Sequence, residues 1–299
     1  MATFNSANWN VVNYGNTSIN EVIFGNTSVW TSVSYTEASG GTITTDGDYK
    51  IHTFNSSGNF VVNQVGSNSD LEYLVISGGG GGTTTYYGGG GGAGGLLHAN
   101  DYTASASTYV VTIGSGGAKN NYRGVGSQGG GSSFGNITSV GGGGGAAYNQ
   151  SAANGGSGGG SSGAYNTTAG SGTVGQGNDG VRGFGQNGGG GGGSENAPSN
   201  SGTKAYGGNG LSYNISGSSV AYAGGGSGMI QGNTPAAGGN GGGGRGGVYG
   251  YNSTNSNGTD GTDGLGGGGG GAFLYNNGAN YGIPGDGGNG LVVVRYQYQ

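Results

Sequence analysis

Apolar and polar positions alternate in short stretches near both ends of this chain, and a period of two is typical of β-strands. Asp46-Gly47-Asp48 and Ser57-Gly58-Asn59 are turn sequences between the first of these stretches. No stretch has the period expected of an α-helix. The pattern predicts strands at residues 41–45, 49–54, 60–65, 71–77, 108–113 and 291–296.

The N-terminal segment contains an internal repeat. Gly15-Asn16-Thr17-Ser18 recurs ten residues later as Gly25-Asn26-Thr27-Ser28, and apolar alternation flanks each copy. This predicts short strands joined by Gly-Asn turns, with Trp9 and Trp30 anchoring the module. We therefore interpret residues 1–40 as an N-terminal β module for attachment, 41–77 as a β segment of a base, and 291–299 as a strand that returns to that base.

Between these β segments lie blocks of nearly pure glycine. Glycine is a poor former of α-helices and strands, but it suits an extended helix with three residues per turn. Such a helix rises about 3.1 Å per residue and directs its backbone polar groups outward, so that neighbouring helices can pair them. The blocks predict a layered bundle of polyglycine II helices over residues 78–290. They lie at 78–82, 88–95, 141–145, 155–160, 188–193, 207–210, 224–228, 238–247, 266–271 and 285–290.

The predicted fold class is mainly β with irregular structure: a β base plus the polyglycine layer, without substantial α-helix. If each of the ten blocks crosses the layer once, the even number returns strand 291–296 to the side of strand 71–77. The count assigns 96–140, 161–187, 211–223 and 248–265 to the base side. It assigns 83–87, 146–154, 194–206, 229–237 and 272–284 to the far side.

Composition favours a folded chain over a disordered one. Of 299 residues, 86 are Gly, 20 are Tyr and 7 are Phe, while only 6% are charged; disordered segments are rich in charge and poor in aromatic residues. Seven basic against twelve acidic residues give no basic patch for nucleic acid. The chain has no cysteine, no Sec-type signal pattern and no apolar run long enough for membrane insertion.

Both ends of the glycine-rich region resemble a known family. Residues 42–54, followed by 71–77 running into glycine, resemble the opening of phage and viral glycine-rich domains, and residues 287–296 resemble their close. Residues 19–30 resemble a segment of phage structural proteins. The glycine layer is similar to that of tail-fibre tip adhesins of T-even-like bacteriophages. That resemblance implies a polyglycine sandwich whose variable outer loops recognise a host receptor.

The loops assigned to the far side are rich in Tyr, Asn, Ser and Gly, the composition of binding loops in which rigid aromatic rings and adaptable polar groups combine. Their only charges are Glu195 and Lys204. An alternative interpretation is that the rings fold back and cover glycine backbone. The predicted receptor-binding residues are Tyr86, Tyr87, Tyr148, Asn149, Tyr206, Phe273, Tyr275 and Tyr281.

Enzymatic chemistry finds little support in the sequence. His52 is expected to be a packed strand residue, and His98 lies at a predicted turn. Asp46-Gly47-Asp48 lacks the other ligands of a calcium loop, and residues 259–264 (Thr-Asp-Gly-Thr-Asp-Gly) are expected to be a repeated turn. Arg295 is expected to pair with a carboxylate of the base. The sequence therefore predicts no enzyme, no cofactor and no metal site.

The function predicted is that of a phage tail-fibre adhesin, located on the virion and extracellular. Its partners would be a bacterial surface receptor (a glycan or an outer-membrane protein) and a fibre or other virion protein bound through the N-terminal module. A homotrimer and a single copy both stay open. The main alternative is a structural virion or cell-surface protein without a receptor role. An ice-binding protein and a fibre-borne glycan hydrolase are weaker alternatives, since neither a flat regular face nor a paired-carboxylate cleft is visible.

Overall fold

Strands form where β-branched and aromatic residues alternate with polar ones. This computed structural model describes residues 21–24, 27–31, 33–163, 167–201, 204–250, 256–274 and 282–299. Within these ranges the fold is mainly β and has no helix, which confirms that part of the predicted fold class. In the same ranges, no helix long and apolar enough to cross a membrane occurs. In chain order the strands are β1 (Glu21–Phe24), β2 (Thr27–Thr31), β3 (Glu37–Ser39), β4 (Thr42–Asp46), β5 (Tyr49–Phe54), β6 (Gly58–Gln64), β7 (Asp70–Ile76), β8 (Thr84–Thr85), β9 (Leu96–Thr103), β10 (Thr108–Thr112), β11 (Ser132–Phe134), β12 (Ile137–Ser139), β13 (Asn200–Ser201), β14 (Lys204–Ala205), β15 (Leu211–Tyr213), β16 (Val220–Tyr222), β17 (Ile230–Gln231), β18 (Val248–Tyr249), β19 (Ala272–Phe273) and β20 (Leu291–Gln297).

The strands predicted from alternation are confirmed. β5 has the predicted bounds, and β4, β6, β7, β10 and β20 differ from theirs by one or two residues. The turn at Asp46-Gly47-Asp48 is also confirmed, with Gly47 at φ +55°. The turn predicted at residues 57–59 lies slightly earlier, because Gly58 already begins β6.

The N-terminal repeat is described only in its second copy. β1 and β2, which flank the second Gly-Asn pair, are antiparallel neighbours as predicted, while residues 25–26 themselves lie outside the described residues. The first copy at residues 15–18 and Trp9 lie outside the described residues. Trp30 lies in β2, opposite Val22.

The base consists of two five-stranded sheets. The inner sheet has the order β4-β5-β20-β7-β9, and the outer sheet has the order β12-β11-β10-β6-β3. The last strand, β20, lies between β5 and β7 and is antiparallel to both: Val293 is opposite Thr53 on one side and Leu74 on the other. The expectation that the returning strand joins strand 71–77 in the base is therefore confirmed.

The side chains of β20 alternate between two apolar cores. Val292, Val294 and Tyr296 pack with Phe60 of the outer sheet and with its neighbours between the two sheets. On the opposite face, Leu291 and Val293 pack with Ile215 and Tyr222, which belong to the β15–β16 hairpin and its turn. Because both faces of the inner sheet are covered, its central strand is a nearly continuous apolar run.

Arg295, in the central strand of the inner sheet, pairs with carboxylates of the base, as expected. Its Nη2 lies 3.0 Å from Oδ2 of Asp46, and its Nε lies 3.9 Å from Oε2 of Glu72. The guanidinium carbon is 4.3 Å from the centroid of the Tyr49 ring. A mostly buried arginine thus joins three strands of the base by charge and stacking.

The glycine layer is the set of extended segments between residues 77 and 291 outside the two sheets. The N–H groups of residues 79–82 donate in turn to three neighbouring segments. Gly79 and Gly82 donate to segment 282–290, Gly80 donates to segment 88–95, and Gly81 donates to segment 124–131. Partners thus recur every three residues, the period of an extended helix with three residues per turn. A Cβ on Gly91 would overlap the carbonyl oxygen of Gly80, so side chains are excluded where segments meet.

The expectation of ten crossings is wrong, because the layer contains additional ones. Residues 237–240 run beside 207–210 towards the base, the chain reverses at Gly241 and Gly242, and residues 244–247 then run beside 268–271 in the opposite direction. Both glycines have a positive φ, +92° and +90°, a conformation that side-chain-bearing residues rarely adopt. The block 238–247 therefore holds two crossings rather than one.

Segments outside the glycine blocks also cross the layer. Residues 114–120 run parallel to 78–83, with Thr83 bridged to Asn120. Gly114 and Gly117 are buried, whereas Ser115 and Ala118 between and beyond them are exposed. At this edge of the layer every third position, Ser115 and then Ala118, is exposed, so residues other than glycine are tolerated there. A search for pure glycine misses these segments.

These extra crossings change which loops lie at which end. Asn120 and the residues after it reach the far side, although they fall in a segment assigned to the base. Val248 and Tyr249 also lie there, since β18 pairs with β17 at the far end of a crossing. Ser194, assigned to the far side, instead bonds to Ala223 beside the base hairpin.

The turn predicted at residues 259–264 is present only in its second copy, where Asp263-Gly264 begins a turn, and both carboxylates also belong to an edge of the layer. Here side-chain oxygens, spaced three residues apart, accept backbone N–H groups of the neighbouring segment. They replace the carbonyl groups that a further segment would supply. The acceptors are Asn257, Asp260 and Asp263, and the donors are the N–H groups of Ile283, Asp286 and Asn289, at 2.9, 2.8 and 2.8 Å.

Candidate functional site

Aromatic rings from several loops meet at the far side of the glycine layer, around Tyr86. The centroid of this ring lies 5.9 Å from that of Tyr148, 6.4 Å from Tyr87 and 6.5 Å from Phe273. The four residues belong to three separate parts of the sequence and were all predicted as receptor-binding residues. The structure thus brings half of the predicted set together, and we name these four residues the far-side cluster.

The local chain paths explain why these rings meet. β8 leads directly into Tyr86, and it pairs in parallel with β19, so that Thr85 lies opposite Phe273. Residues 141–147 run in the same direction as 78–82 and carry Tyr148 to the same end. The N–H of Tyr148 donates to Oγ1 of Thr85 over 3.2 Å. Parallel crossings of similar length therefore align the loops that follow them.

An arginine that the sequence analysis did not select lies at this cluster. The guanidinium carbon of Arg123 is 5.8 Å from the centroid of Tyr86 and 5.9 Å from that of Tyr122. Tyr122 is 73% exposed, more than any other tyrosine whose side chain the structure describes. A cation beside aromatic faces offers both charge and stacking to a partner. The signal that could have found it is Asn120-Asn121-Tyr122-Arg123-Gly124, a polar turn sequence with an aromatic and a basic residue.

The rings of the far-side cluster differ in depth. Tyr148 is 45% exposed, whereas Phe273 is only 3% exposed and stacks on Tyr249 with centroids 4.1 Å apart. Tyr86 and Tyr87 lie between these extremes. Phe273 therefore supports the surface from below, as the alternative interpretation of covering rings expects, and Tyr148 is positioned to contact a partner.

Two strained backbone positions flank the cluster. Arg123 has φ +47° and Asn149 has φ +57°, and non-glycine residues seldom adopt this left-handed conformation. Asn149, a predicted site residue, is exposed beside Tyr148. Such strain concentrates at functional sites, where surrounding structure holds a loop in one shape.

Within the cluster, Tyr87 has a raised pKa. Burial raises the pKa of Tyr87, and the neighbouring Tyr148 and Tyr86 raise it further. The phenol therefore stays protonated at neutral pH and can donate a hydrogen bond. Arg123 places a positive charge beside the Tyr86 ring of the same cluster.

Tyr206 is not one of the four rings of the far-side cluster and lines a cleft between neighbouring segments of the layer. Its ring packs on Ile230, Ala236 and Val248. The cleft has a volume of about 420 Å³ and no charged residue among those that line it in the described structure. Its lining residues are Asn196, Ala197, Ser199, Tyr206, Gly207, Asn209, Ala237, Gly238 and Asn240.

The last two predicted site residues, Tyr275 and Tyr281, lie outside the described residues. The described chain on either side of them, Phe273 and Gly282, is joined by a backbone hydrogen bond of 2.8 Å from the N–H of Gly282. Phe273 and Gly282 therefore lie side by side, and Phe273 belongs to the far-side cluster.

The two histidines belong to the base. His52 is fully buried and packs against Phe60, as expected for a strand residue. His98 lies in β9 rather than at a turn; its Nε2 is 3.0 Å from Oε1 of Glu72, and its ring lies on that of Tyr213. In the described part of the chain, no group of three or more His, Cys, Asp or Glu side chains is placed to hold a metal ion.

Comparison with known protein families finds a match over most of the chain. A family described as a glycine-rich domain matches residues 54–297. The matched range begins at the last residue of β5 and ends at the last residue of β20. It therefore spans the whole glycine layer and the strands that bracket it. A comparison with curated proteins finds no match.

Proposed function

This chain belongs to the glycine-rich domain family, and we propose that it is a phage tail-fibre adhesin whose far side binds a receptor on the bacterial surface. In this proposal the protein is extracellular, on the virion. Its N-terminal module joins it to the fibre or to another virion protein, and the base and layer hold the far side away from that attachment.

The observation that carries the proposal is the meeting of Tyr86, Tyr148, Tyr122 and Arg123 at one end of the layer. Tyrosine offers a large and rigid contact area with a polar tip, and arginine adds charge and stacking. Exposed aromatic residues grouped at one surface are typical of binding sites for other molecules. The sequence resemblance to tail-fibre tip adhesins favours the same end of the molecule.

The scaffold suits this role because it separates recognition from folding. Each crossing is bonded to several neighbours through its backbone, so the loops at the far side begin and end at fixed points. Loops on a rigid scaffold can vary in length and sequence without disturbing the framework. A binding surface held in this way loses little conformational entropy when it binds.

The test compares adsorption to a panel of Gram-negative bacteria. The double variant Tyr122→Ala/Tyr148→Ala removes two exposed tyrosine rings of the far side, and Tyr35→Ala removes an exposed ring of the base. We expect the wild type and Tyr35→Ala to adsorb to the same strains, and the double variant to lose at least ten-fold in affinity, since interface aromatics often contribute about 2 kcal/mol or more.

Equal adsorption by all three proteins would overturn the assignment to the far side. Failure of the wild type to adsorb to any strain would favour the alternative, a structural virion or cell-surface protein without a receptor role. The thermal unfolding of each variant is measured first, so that loss of fold is separated from loss of contact.

A further inference from the structure

We propose that the cleft beside Tyr206 is a binding site for a short, uncharged saccharide, separate from the far-side cluster. The proposal rests on the proposed function only in identifying the saccharide as part of a surface receptor. Three neighbouring segments of the layer form the cleft.

The floor and walls of the cleft are held by backbone hydrogen bonds. The floor is residues 206–209; the N–H groups of Gly207 and Gly210 donate to the carbonyl oxygens of Ala237 and Asn240 in one wall. The other wall, residues 196–199, is joined to the floor through Tyr206, whose N–H donates to Ser199. A Cβ on Gly207 would overlap the backbone of the adjacent segment, so the floor cannot shift inward.

Three asparagines form a chain of hydrogen bonds across the cleft. Oδ1 of Asn196 accepts the N–H of Asn209, and Oδ1 of Asn209 accepts the N–H of Asn240, each over 3.0 Å. With both oxygens engaged, the amide nitrogens of Asn196 and Asn209 are oriented away from the backbone. Among the described residues neither amide nitrogen has a protein partner, so each presents two donors to a ligand.

Tyr206 supplies the apolar part of the site. One side of its ring packs on Ile230, Ala236 and Val248, which fixes the ring, and the residue also lines the cleft. A pyranose ring has an apolar face of C–H groups and a rim of hydroxyls. An immobilised aromatic ring beside amide donors matches both, because it covers the face while the amides bond the rim.

The size of the cleft and its lack of charged residues favour a short, uncharged ligand. From Tyr206 to Asn209 the floor covers three residues, or roughly 9 Å at the rise of an extended glycine helix, which is comparable to a disaccharide. The lining residues carry no charge, so nothing there repays the desolvation of an acidic or basic ligand. A peptide would need deeper apolar pockets for its side chains than Ala197 and Ala237 form.

The test uses purified full-length protein on an array of immobilised oligosaccharides, with neutral hexose and N-acetylhexosamine chains beside acidic ones. The key variant is Asn209→Asp, which retains the Oδ1 acceptor for Asn240 but removes the amide donor and adds a negative charge. Asn257→Asp is the matched control, because Oδ1 of Asn257 has the same acceptor role on the edge that bonds Ile283.

We expect the wild type and Asn257→Asp to bind the same neutral oligosaccharides, and Asn209→Asp to bind them about ten-fold more weakly, the loss of one good hydrogen bond. Tyr206→Ala is expected to lose binding at least as severely. Binding only to acidic chains, binding to no chain, or equal binding by all variants would overturn the proposal.

Failure of this inference is distinguishable from failure of the adhesin proposal. If no oligosaccharide binds but Tyr122→Ala/Tyr148→Ala still loses adsorption to cells, the cleft is not a saccharide site and the adhesin function stands. If oligosaccharides bind through Asn209 but the protein adsorbs to no bacterium, the saccharide site stands and the adhesin function does not.

Discussion

The hydroxyl of Tyr296 and Nε2 of His52 lie 3.2 Å apart, joining the last strand of the chain to β5 inside the base. Nδ1 of His52 lies 2.7 Å from the carbonyl oxygen of Gly40, and the Tyr296 hydroxyl accepts the N–H of Ala38 over 3.1 Å. The imidazole therefore donates from Nδ1 and accepts at Nε2, which is the neutral form. Through this tautomer, His52 connects Gly40 at the start of the base with Tyr296 in its last strand.

This relationship predicts a loss of stability in mild acid. Burial lowers the pKa of His52, so below about pH 6.5 the unfolded chain binds a proton that the folded chain does not. The free energy of unfolding should be greatest above that pH and fall as the pH drops from about 7.5 to 5.5. Urea unfolding across this range measures the slope. His52→Gln should flatten it and His98→Gln should leave the His52 contribution in place; an equal slope in His52→Gln would contradict the assignment.

A second acid-sensitive contact lies at a lower pH. Nζ and the N–H of Lys119 each lie 2.7 Å from the Asp286 carboxylate. Burial alone raises the pKa of Asp286, but the hydrogen bonds from Lys119 outweigh it and the net pKa is lowered. Its contribution is present above the unfolded value of about 3.9 and is lost as the pH falls through it towards the folded pKa.

The measurement for this pair is acid unfolding of Asp286→Asn beside the wild type. The variant should be less stable at neutral pH and should lose less on acidification below about pH 4, since it has no carboxylate to protonate. If the variant lost as much unfolding free energy below about pH 4 as the wild type, the pair of Lys119 and Asp286 would contribute nothing to the stability of the layer.

Close packing of the layer predicts strong intolerance of side chains. Gly91→Ala places a Cβ against the carbonyl oxygen of Gly80 and should cost about 1–3 kcal/mol of unfolding free energy, since backbone on both sides must shift. The control is Gly58→Ala in β6, where a Cβ would meet only the Phe54 ring at 3.9 Å. Chemical denaturation of both variants distinguishes them, and a stable Gly91→Ala protein would contradict the packing argument.

The edge of the layer predicts a difference between two substitutions at one position. Oδ1 of Asp263 accepts the N–H of Asn289 over 2.8 Å. Asp263→Asn retains an acceptor oxygen and should be close to neutral, whereas Asp263→Ala leaves that N–H to water and should cost about 0.5–1.5 kcal/mol. Hydrogen exchange at the Asn289 amide gives a direct readout. Equal protection in both variants would show that the side chain does not satisfy this group.

The exposed fraction of each ring at the far side predicts how much that ring contributes to stability. Phe273→Ala removes a buried ring and should destabilise the protein by about 3–5 kcal/mol, whereas Tyr148→Ala removes an exposed one and should change stability by less than about 1 kcal/mol. Thermal unfolding of the two variants tests this. If Tyr148→Ala proved equally destabilising, the ring would be a cover for the backbone, and its place in a binding surface would be lost.

Much of the base could be predicted from residues close in sequence. Alternation located β5, β7 and β20, because each strand faces an apolar core and its pattern reports that burial directly. The crossings were harder to count. Gly114 and Gly117 follow a three-residue spacing at the edge, where their exposed neighbours carry side chains, and no block of pure glycine marks them.

The candidate site was predicted in composition rather than in geometry. Tyr86 and Tyr148 were identified because tyrosine among small polar residues is typical of binding loops, and they do meet. Arg123 was missed because an uncounted crossing carries it to the far side. Tyr206 packs on Ile230 and Val248 of the far-side strands β17 and β18, outside the four residues of the far-side cluster. The composition of the binding loops could be predicted from the sequence. The end of the layer at which each loop lies could not, because it depends on the number of crossings before that loop.

The sequence by itself determined the local structure of this protein. Strands form where apolar residues alternate with polar ones, and extended segments without side chains form where glycine repeats, since both are local properties of the chain. Only the tertiary structure decided which segments become neighbours. The backbone of an extended glycine segment offers similar hydrogen bonds to every side, so its partners are chosen by the whole arrangement and not by its own residues. The surface at the far side, with Tyr86 beside Arg123, exists only once that arrangement is complete.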